Sequence, residues 1–379
     1  MILDFGQQTI ANAKCLIPFW FLQKKSHIAL INKTNEAMKR ALFIGGTGTI
    51  STAITKRLSE SEDWQLYVLN RGNRNNVLPP NVNSIVVSDV NNEAEVSAKL
   101  ADLSFDCVCD FICFEPAQIE RDYRLFKDKT RQFMIISSAS AYQKPAANYI
   151  ITESTPLANP YWEYSRNKIK IEDFLMRKYR EEQFPITIIR PSHTYDERSV
   201  PLGVHGRNGS WQVIKRMLDG KPVILHGDGT SLWTFTHNSD FAKAFVGLMG
   251  NAHAIGDVFQ ITSDETVTWN QAYQTIADCL GVEFKPYYVA SDFLAAVSDY
   301  DFTGSLIGDK SNSVVFDNSK LKRAVPDFCA TVRFDQGVRQ TIEFVLSHPE
   351  YQVEDQGFDQ WCDKVIAALE QAKKAILKK

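Results

Sequence analysis

Two side chains of this sequence, Tyr164 and Lys168, are of the types and at the spacing that acid–base chemistry requires. Residues four apart lie on the same face of a helix, so these two would be neighbours there. A tyrosine ordinarily titrates near pH ~10, and a nearby ammonium stabilises its phenolate, which lets the tyrosine act as an acid or a base near neutrality. We therefore predict a catalytic role for this pair.

The same spacing occurs a second time, in Tyr123 and Lys127, so spacing alone does not identify the catalytic pair. Position along the chain separates the two pairs. Tyr164 follows an apolar run that ends in Ser137-Ser138, and it precedes the last strand of the predicted sheet. The helix that carries Tyr123 is expected to cover the sheet, which makes Tyr164 the better candidate.

A glycine-rich loop spans residues 45–51 and stands between an apolar run and a helix-like segment. Gly45 allows a tight turn, and Gly48 lets the backbone approach a pyrophosphate, which the N–H groups at the start of the following helix would bind. Ser51 takes the third small position of the pattern. A strand before the loop and a helix after it are typical of dinucleotide binding. The candidate cofactor residues of the loop are Gly45, Thr47, Gly48, Thr49 and Ile50.

The end of the second predicted strand should meet the adenosine ribose of such a cofactor. An acidic residue there would bind the 2′-hydroxyl of NAD, but the sequence has Asn70 and Arg71, with Arg74 close by. Guanidinium groups would bind a 2′-phosphate, so we predict that NADP is preferred over NAD. Asp89 and Val90 end the third strand, where a side chain can reach the adenine amine.

Apolar runs and helix-like segments alternate along the first half of the chain. The predicted strands are residues 42–44, 66–69, 84–87, 105–111, 132–136 and 186–189, with helices at 52–59, 94–103, 117–127 and 165–180. Most of these runs are continuously apolar, which is typical of a parallel sheet covered on both faces. The alternation predicts an α/β fold with a doubly wound parallel Rossmann sheet.

The length of 379 residues allows more than one lobe. We assign residues 38–191 to the dinucleotide-binding domain, with 236–262 returning to it. Residues 192–235 and 263–330 are assigned to a smaller substrate lobe, in which 283–330 is expected to be irregular. Residues 331–379 are predicted to be a helical C-terminal segment, with an amphipathic helix from Phe358 to Lys379. We expect residues 1–37 to be a weakly ordered extension before the first strand.

Composition and charge limit the classes of partner. The chain is 44% hydrophobic and 23% charged, and its formal net charge is −3, which argues against a nucleic-acid partner. The longest apolar run near the start is far shorter than the roughly 20 residues that a membrane span needs. Seven cysteines are scattered without a metal or disulfide pattern, which is typical of reduced thiols in a cytoplasmic protein.

Several segments, in this order and at these spacings, make the sequence similar to the extended short-chain dehydrogenase/reductases of the NAD-dependent epimerase/dehydratase family. They are Gly45-x-x-Gly48-x-x-Ser51, Ile136 to Tyr142, Tyr164-x-x-x-Lys168, Arg190-Pro191 and Phe235-Thr236-His237-x-x-Asp240. The resemblance covers about residues 39–281. It implies that Ser138 binds the substrate oxygen, Tyr164 moves the proton, Lys168 holds the nicotinamide ribose, and Pro191 to His193 lie near the nicotinamide. Family members commonly form homodimers through the helices that flank the tyrosine segment.

The sequence departs from the resembled family at two places that concern the substrate. Relatives that act on nucleotide sugars often carry an arginine that clamps the substrate nucleotide, and Trp233 stands in its place, where a neutral indole cannot neutralise a diphosphate. Asp196 and Glu197 follow the sixth predicted strand and would repel an anionic substrate if they faced it. Ala139 and Ser140 replace the Asp-Glu pair of the family's sugar dehydratases, which leaves an epimerase or a reductase.

The expected substrate is therefore sugar-like or another small hydroxy or carbonyl compound, and Tyr161 and Trp233 are candidates for binding it. Tyr161 and its neighbour Trp162 would stack on a sugar ring or cover the cofactor. His193, His205 and His237 lack metal-ligand spacing, so no metal is predicted. The alternative to an enzyme is a non-catalytic Rossmann protein that binds NAD(P) as a sensor or binds RNA.

Overall fold

The structure is a computed structural model, and it describes residues 38–377. The extension predicted for residues 1–37 lies outside the described residues. The strands within them are β1 (Lys39–Ile44), β2 (Trp64–Asn70), β3 (Asn83–Val86), β4 (Cys107–Asp110), β5 (Phe133–Ile136), β6 (Ile150–Ile151), β7 (Ile186–Pro191), β8 (His193–Tyr195), β9 (Val223–His226), β10 (Leu232–Trp233), β11 (Phe235–His237), β12 (Asp257–Ile261), β13 (Val267–Thr268), β14 (Pro286–Val289) and β15 (Val315–Phe316).

Helices alternate with these strands. They are α1 (Thr49–Ser59), α2 (Glu93–Lys99), α3 (Pro116–Phe126), α4 (Glu163–Glu182), α5 (Trp211–Leu218), α6 (Asn238–Leu248), α7 (Trp269–Leu280), α8 (Ser291–Ala296), α9 (Ser319–Ala324), α10 (Phe334–Ser347) and α11 (Gln356–Leu377). Short 3₁₀ turns are Asn75–Val77, Ala139–Ala141, Ala252–Ala254 and Pro349–Tyr351, and Thr303–Lys310 is a π-helix.

Seven strands form one parallel sheet in the order β12-β7-β5-β4-β1-β2-β3. Successive residues of a strand point to opposite faces, and in β1 Leu42 joins the apolar cluster on one face while Phe43 joins the cluster on the other. Both faces are covered, so the central strands β4 and β5 are buried along their whole length. The prediction of a doubly wound parallel sheet is confirmed.

The strand order reverses at β1, which explains where a ligand can bind. The chain continues from β1 through β2 to β3 on one side and then crosses to β4 and β5 on the other. At such a reversal the loops after the two central strands diverge and leave a crevice at the carboxyl ends of the strands. The glycine-rich loop follows β1 and opens into this crevice.

A third apolar cluster is separate from the two that cover the sheet, and most of its residues come from the chain after β7. Its centre is Trp269, which is fully buried at the start of α7. The two-stranded ladders β9–β14 and β10–β13 surround it, and Phe358 of α11 packs into the same cluster. The lobe boundaries given from the sequence stay predictions.

The irregular structure predicted for residues 283–330 is wrong. The segment contains β14, α8, the π-helix Thr303–Lys310, β15 and α9. Each of these elements has eight residues or fewer, so its sequence is too short to show a helical or strand period. Packing against the third apolar cluster, to which Leu294, Leu306 and Phe316 belong, defines these elements instead.

Two further observations concern the helices and the cysteines of the described residues. Among the helices of residues 38–377, none is both long and apolar enough to cross a membrane. The six cysteines within the described residues are all free.

Candidate functional site

A cavity of about 1030 Å³ opens at the carboxyl edge of the sheet, at the point where the strand order reverses. Its volume lies at the upper end of the range for small-molecule sites, ~300–1000 Å³. Every residue that the sequence nominated for cofactor binding lines it: Gly45, Thr47, Gly48, Thr49, Ile50, Asn70, Arg71, Asp89, Val90, Pro191 and His193. We call it the cofactor cavity.

The glycine-rich loop has the geometry that close approach of a phosphate needs. Gly45 has a φ of 76°, in the left-handed region, and a Cβ there would lie 2.8 Å from Cγ2 of Ile112. Helix α1 begins at Thr49, so its first backbone N–H groups face the cavity. The Ser51 hydroxyl is buried and accepts a hydrogen bond from the Gly48 N–H at 2.9 Å. These residues fit a pyrophosphate.

The end of β2 carries positive charge toward the cavity. The Asn70 side chain holds the turn itself, because it accepts from the N–H of Gly72 at 2.7 Å and donates to Asn75 at 2.8 Å. Arg71 and Arg74 are exposed and line the cavity, and within the described part of the chain neither forms an ion pair. Two guanidinium groups are therefore available to a ligand at this end.

Helix α4 places Tyr164 and Lys168 together at the inner end of the cofactor cavity. The Lys168 ammonium is buried and donates to the backbone carbonyls of Cys113, at 2.6 Å, and Ile136, at 2.7 Å. It lies 5.5 Å from the centre of the Tyr164 ring. These contacts hold the ammonium between the loop after β4 and the end of β5, beside the tyrosine.

Ser138 lies at the end of β5, where the chain turns into the 3₁₀ turn Ala139–Ala141. Its hydroxyl accepts a hydrogen bond from the N–H of Ser140 at 3.1 Å and lies 2.9 Å from the Ser140 hydroxyl. Ser165 of α4 donates to the same Ser140 hydroxyl at 2.7 Å. The hydroxyl network thus connects the turn after β5 with the first turn of the helix that carries Tyr164.

Burial determines the protonation of the two acid–base groups. It raises the pKa of Tyr164, against a smaller lowering by its hydrogen bond to Ser138, and the charge of Asp309 raises the pKa further. Burial lowers the pKa of Lys168, while Cys113 and Asp110 partly oppose this effect. At neutral pH the phenol is therefore protonated, which suits a group that gives a proton to a substrate oxygen.

A second cavity, of about 320 Å³, adjoins the first, and we call it the substrate cavity. The two cavities share the lining residues Ser138, Tyr164, Pro191, Ser192 and His193. The substrate cavity is further lined by Ala139, Ser140, Lys144, Trp162, Trp233, Asp309, Lys310, Val314 and Phe316. A molecule in it would meet the acid–base groups on one side and the inner end of the cofactor cavity on the other.

Of the two candidate substrate residues, Trp233 lines the substrate cavity and Tyr161 does not. Trp233 is 3% exposed and lines the substrate cavity. Tyr161 is 40% exposed and lines neither cavity. It lies in the turn before α4, where its N–H donates to the Asn159 side chain at 3.1 Å. This turn brings the neighbouring Trp162 to the substrate cavity instead. The placement therefore gives no support to a substrate role for Tyr161.

The two acidic residues after β8, Asp196 and Glu197, do not face the substrate cavity. Asp196 is buried, and its carboxylate forms an ion pair with Arg198. Neither Asp196 nor Glu197 lines the substrate cavity. The repulsion of an anionic substrate, which would have required these side chains in the cavity, therefore has no basis in the structure.

Three charged residues of the substrate cavity were missed in the sequence. Lys144 precedes Pro145 in a loop whose sequence contains no recognisable motif. Asp309 and Lys310 are the last two residues of the π-helix, in the segment that was expected to be irregular. Lys144 and Asp309 form an ion pair at 3.7 Å. No spacing or motif in the sequence links these residues, since they meet through the packing of distant segments.

One group of residues has the composition of a metal site. Donor atoms of Asp110, Cys113 and Asp122 lie within 4.8 Å of one another, and all three residues are buried. Burial and the neighbouring Asp110 raise the pKa of Asp122 well above its usual range, which favours a protonated carboxyl. Arg121 donates to Asp122 at 2.6 Å. Because a guanidinium already supplies positive charge there, we interpret the group as structural.

The other tyrosine–lysine pair lies elsewhere. The Tyr123 hydroxyl donates to Glu182 near the end of α4, and the ring packs edge-on against Phe174 and Phe184. Tyr123 lines neither the cofactor cavity nor the substrate cavity. Its helix covers the sheet, as its position in the sequence indicated.

Comparison with known proteins gives a consistent family relationship. The sequence model of the NAD dependent epimerase/dehydratase family matches residues 41–262. Among curated proteins, the chain is 25% identical over 297 residues to the 2′-dehydrokanamycin reductase of Streptomyces kanamyceticus, covering 78% of this chain and 82% of the reductase. The match with the family extends over more than half of the chain.

Solved structures show the same fold. One is dTDP-glucose 4,6-dehydratase from Bacillus anthracis in complex with NAD, with a TM-score of 0.65, 19% identity, and coverage of 83% of this chain and 98% of that one. Another is UDP-glucuronic acid 4-epimerase from Bacillus cereus in complex with UDP-glucuronic acid and NAD, with a TM-score of 0.65, 18% identity, and coverage of 81% and 99%.

Proposed function

We propose that this chain, an enzyme that belongs to the NAD dependent epimerase/dehydratase family, transfers a hydride between a nicotinamide cofactor and a carbon of a small sugar-like molecule. The observation that carries the proposal is the meeting of the two cavities at Ser138 and Tyr164. Acid–base groups placed between a cofactor cavity and a substrate cavity fit an epimerase or a reductase. Family membership favours this function over a non-catalytic protein that binds the dinucleotide.

The residues of the chain have separate tasks in this proposal. The bound nicotinamide supplies or accepts the hydride. In the reducing direction, Ser138 hydrogen-bonds the substrate carbonyl oxygen, and Tyr164 gives its phenolic proton to that oxygen as the alcohol forms. Lys168 holds the nicotinamide ribose and stabilises the phenolate that remains. Pro191 and His193 limit the space beside the nicotinamide.

We also propose that the enzyme prefers NADP to NAD. Arg71 and Arg74 line the cofactor cavity without ion pairs among the described residues, whereas no carboxylate ends β2. Guanidinium groups bind a phosphate through charge-assisted hydrogen bonds. Asp89 and Val90, which line the same cavity, are proposed to contact the adenine.

Two features favour a small substrate over a nucleotide sugar. The substrate cavity of about 320 Å³ is less than a third of the cofactor cavity in volume. Trp233 is buried at the position where the resembled nucleotide-sugar enzymes often carry an arginine. The proposal includes a cytoplasmic location, a homodimer that forms through the helices flanking the Tyr164 segment, and no nucleic-acid partner.

The test is a screen of sugar-derived ketones, aldehydes and alcohols with cofactor that is deuterated at the transferable position of the nicotinamide. A reductase consumes reduced cofactor and moves deuterium to one carbon of the product, which mass spectrometry detects. An epimerase converts the substrate without net consumption of cofactor. The proposal is wrong if the protein binds neither NADH nor NADPH, or if binding of the dinucleotide never leads to hydride transfer across the screen.

A further inference from the structure

The charges that line the substrate cavity do not balance. Lys144 and Asp309 neutralise one another in an ion pair at 3.7 Å, and the Lys144 side chain is almost fully buried. The remaining charged side chain, Lys310, has no ion pair and no side-chain hydrogen bond within residues 38–377. The cavity lining therefore carries one ammonium group more than it carries carboxylates, and Lys310 forms no ion pair of its own within the described residues.

The fold holds Lys310 firmly in this place. Its backbone carbonyl, at the end of the π-helix Thr303–Lys310, accepts hydrogen bonds from Trp269 Nε1 and His226 Nε2, both at 3.1 Å. Two residues earlier in the same helix, the carbonyl of Gly308 accepts from the Asn159 side chain at 2.7 Å. A π-helix interrupts regular hydrogen bonding and is frequent at functional sites. The backbone is anchored, while the side-chain ammonium is left to the cavity.

Trp233 supplies a second donor without a partner. Its indole Nε1 is buried and has no hydrogen-bond partner in the described structure, although the residue is 3% exposed and lines the cavity. The strand β10 that carries it lies beside the segment after Lys310, since Leu232 accepts from the N–H of Val314 at 3.0 Å. A buried N–H without an acceptor is unfavourable, so a ligand oxygen within hydrogen-bond distance would stabilise it, which requires a small movement of the indole because the N–H itself has almost no exposed surface.

The neighbours of Lys310 offer no compensating negative charge apart from Asp309, which Lys144 already neutralises. His193 lies in the same cavity, and burial keeps its pKa well below its usual range, so it is neutral. His205 is also neutral, because burial lowers its pKa to about 4. Burial lowers the pKa of Lys310, while Asp309 partly restores it, and an anionic ligand would restore it further.

We propose that Lys310 and the indole N–H of Trp233 form an oxyanion subsite, which selects a single-ring sugar substrate that carries a carboxylate or a phosphate monoester. The inference rests on the proposed function, because it specifies the substrate of the same cavity. A half-buried ammonium attracts an anion and rejects a cation. The enzyme therefore discriminates against sugars that carry several protonated amino groups, whose charge is opposite to that of an acidic sugar.

The test compares ligands that differ mainly in charge. D-glucuronate, glucose 6-phosphate, D-glucose and D-glucosamine are titrated, by calorimetry or ligand-observed NMR, into the protein saturated with NADP⁺ or NAD⁺. We expect one of the two anionic sugars to bind at least about tenfold more tightly than D-glucose, as close charge pairs at interfaces do. We expect D-glucosamine to bind more weakly than D-glucose. Which anion binds better distinguishes a carboxylate from a phosphate.

Three variants connect the preference to the proposed residues. Lys310→Met should abolish the preference for the anionic sugar, and Lys310→Arg should keep part of it. Trp233→Phe preserves the aromatic ring but removes the N–H, and it should weaken anion binding more than D-glucose binding. Lys99→Met is the matched control, since Lys99 is exposed on α2 and lines neither cavity.

The results separate this inference from the proposed function. Equal affinity for charged and neutral sugars in the wild-type protein would overturn the oxyanion subsite. An anion preference that Lys310→Met leaves unchanged would overturn it as well. Binding of NADPH is measured by fluorescence in a separate titration of the same protein preparations without oxidised cofactor: absence of dinucleotide binding by the wild-type protein would contradict the proposed function, whereas intact binding without charge selectivity contradicts the subsite alone.

Discussion

At the scale of the residue, the candidate site depends on what burial does to groups that carry protons. Burial and the charge of Asp309 raise the pKa of Tyr164, and Ser138 lowers it by less. Lys168 is fixed by two backbone carbonyls at 2.6 and 2.7 Å. The pair could be predicted because its four-residue spacing and its position after the Ser137-Ser138 segment are both visible in the sequence. The presence of Lys144 and Lys310 in the substrate cavity could not be predicted, because tertiary packing brings these distant segments together.

The raised pKa of Tyr164 predicts different pH profiles for the two directions of the reaction. Oxidation of an alcohol needs the phenolate, whose population grows as the pH rises toward the pKa, so its rate should increase between about pH 7 and 9. Reduction needs the protonated phenol and should stay nearly constant over that interval. Initial rates in both directions, measured in buffers of equal ionic strength, test this, and an oxidation rate that falls with pH would exclude Tyr164 as the base.

The arginines at the end of β2 predict how the cofactor is chosen. Replacing both Arg71 and Arg74 by alanine should weaken NADPH binding about tenfold or more, because the phosphate loses its charge-assisted hydrogen bonds. NADH binding should change little. Fluorescence titration measures both affinities, with Arg323→Ala as a control because Arg323 is an exposed arginine of α9 that lines neither cavity. Tighter binding of NADH than NADPH by the unaltered protein would contradict the cofactor preference.

At the scale of the element, α4 connects the acid–base pair to the sheet through a buried ion pair. Glu172 of α4 accepts from Arg190 of β7 at 3.0 and 2.5 Å, and Ser137 at the end of β5 also donates to this carboxylate. Arg190 lies over the ring of Tyr142, with the guanidinium carbon 4.8 Å from the ring centre. These contacts fix the position of α4 relative to β5 and β7, and therefore the position of Tyr164 beside the end of β5.

Breaking this ion pair should reduce stability strongly. Arg190→Met leaves the Glu172 carboxylate buried without a counter-charge, and we expect the free energy of unfolding to fall by about 3–5 kcal/mol. The double variant Glu172→Gln/Arg190→Met removes the unpaired charge and should lose less. Chemical denaturation measures both variants, and Arg124→Met, at the exposed ion pair with Glu93, serves as a control. A double variant as unstable as Arg190→Met would refute the electrostatic explanation.

The elements of the sheet were predictable, and those of the substrate region were less so. Strands such as β5 are continuous apolar runs, since both faces of a parallel sheet are covered, and the helices between them have a clear period. The π-helix Thr303–Lys310 has no such period, and its conformation depends on what packs around it. The sequence therefore indicated the cofactor site much more fully than the substrate site.

At the scale of the whole molecule, the strand reversal at β1 and the chain after β7 create two cavities that share a wall. The cofactor cavity follows from the topology of the sheet, which any sequence with this alternation of elements would form. The substrate cavity is formed by β10, the π-helix and the turn before α4, which are far apart in the chain. Ser138 and Tyr164 lie where the two cavities meet, which is the position that a proton donor to the substrate needs.

The most direct measurement is turnover by Tyr164→Phe beside Tyr123→Phe, with a substrate found in the screen. Both tyrosines stand four residues before a lysine, but Tyr164 lines both cavities and Tyr123 lines neither. We predict that Tyr164→Phe lowers kcat by about 10²–10⁴-fold while NADPH affinity is retained, because only general acid–base catalysis is lost. Tyr123→Phe should keep its turnover. Full activity of Tyr164→Phe, or an equal loss in both variants, would contradict the assignment of Tyr164 as the acid–base residue.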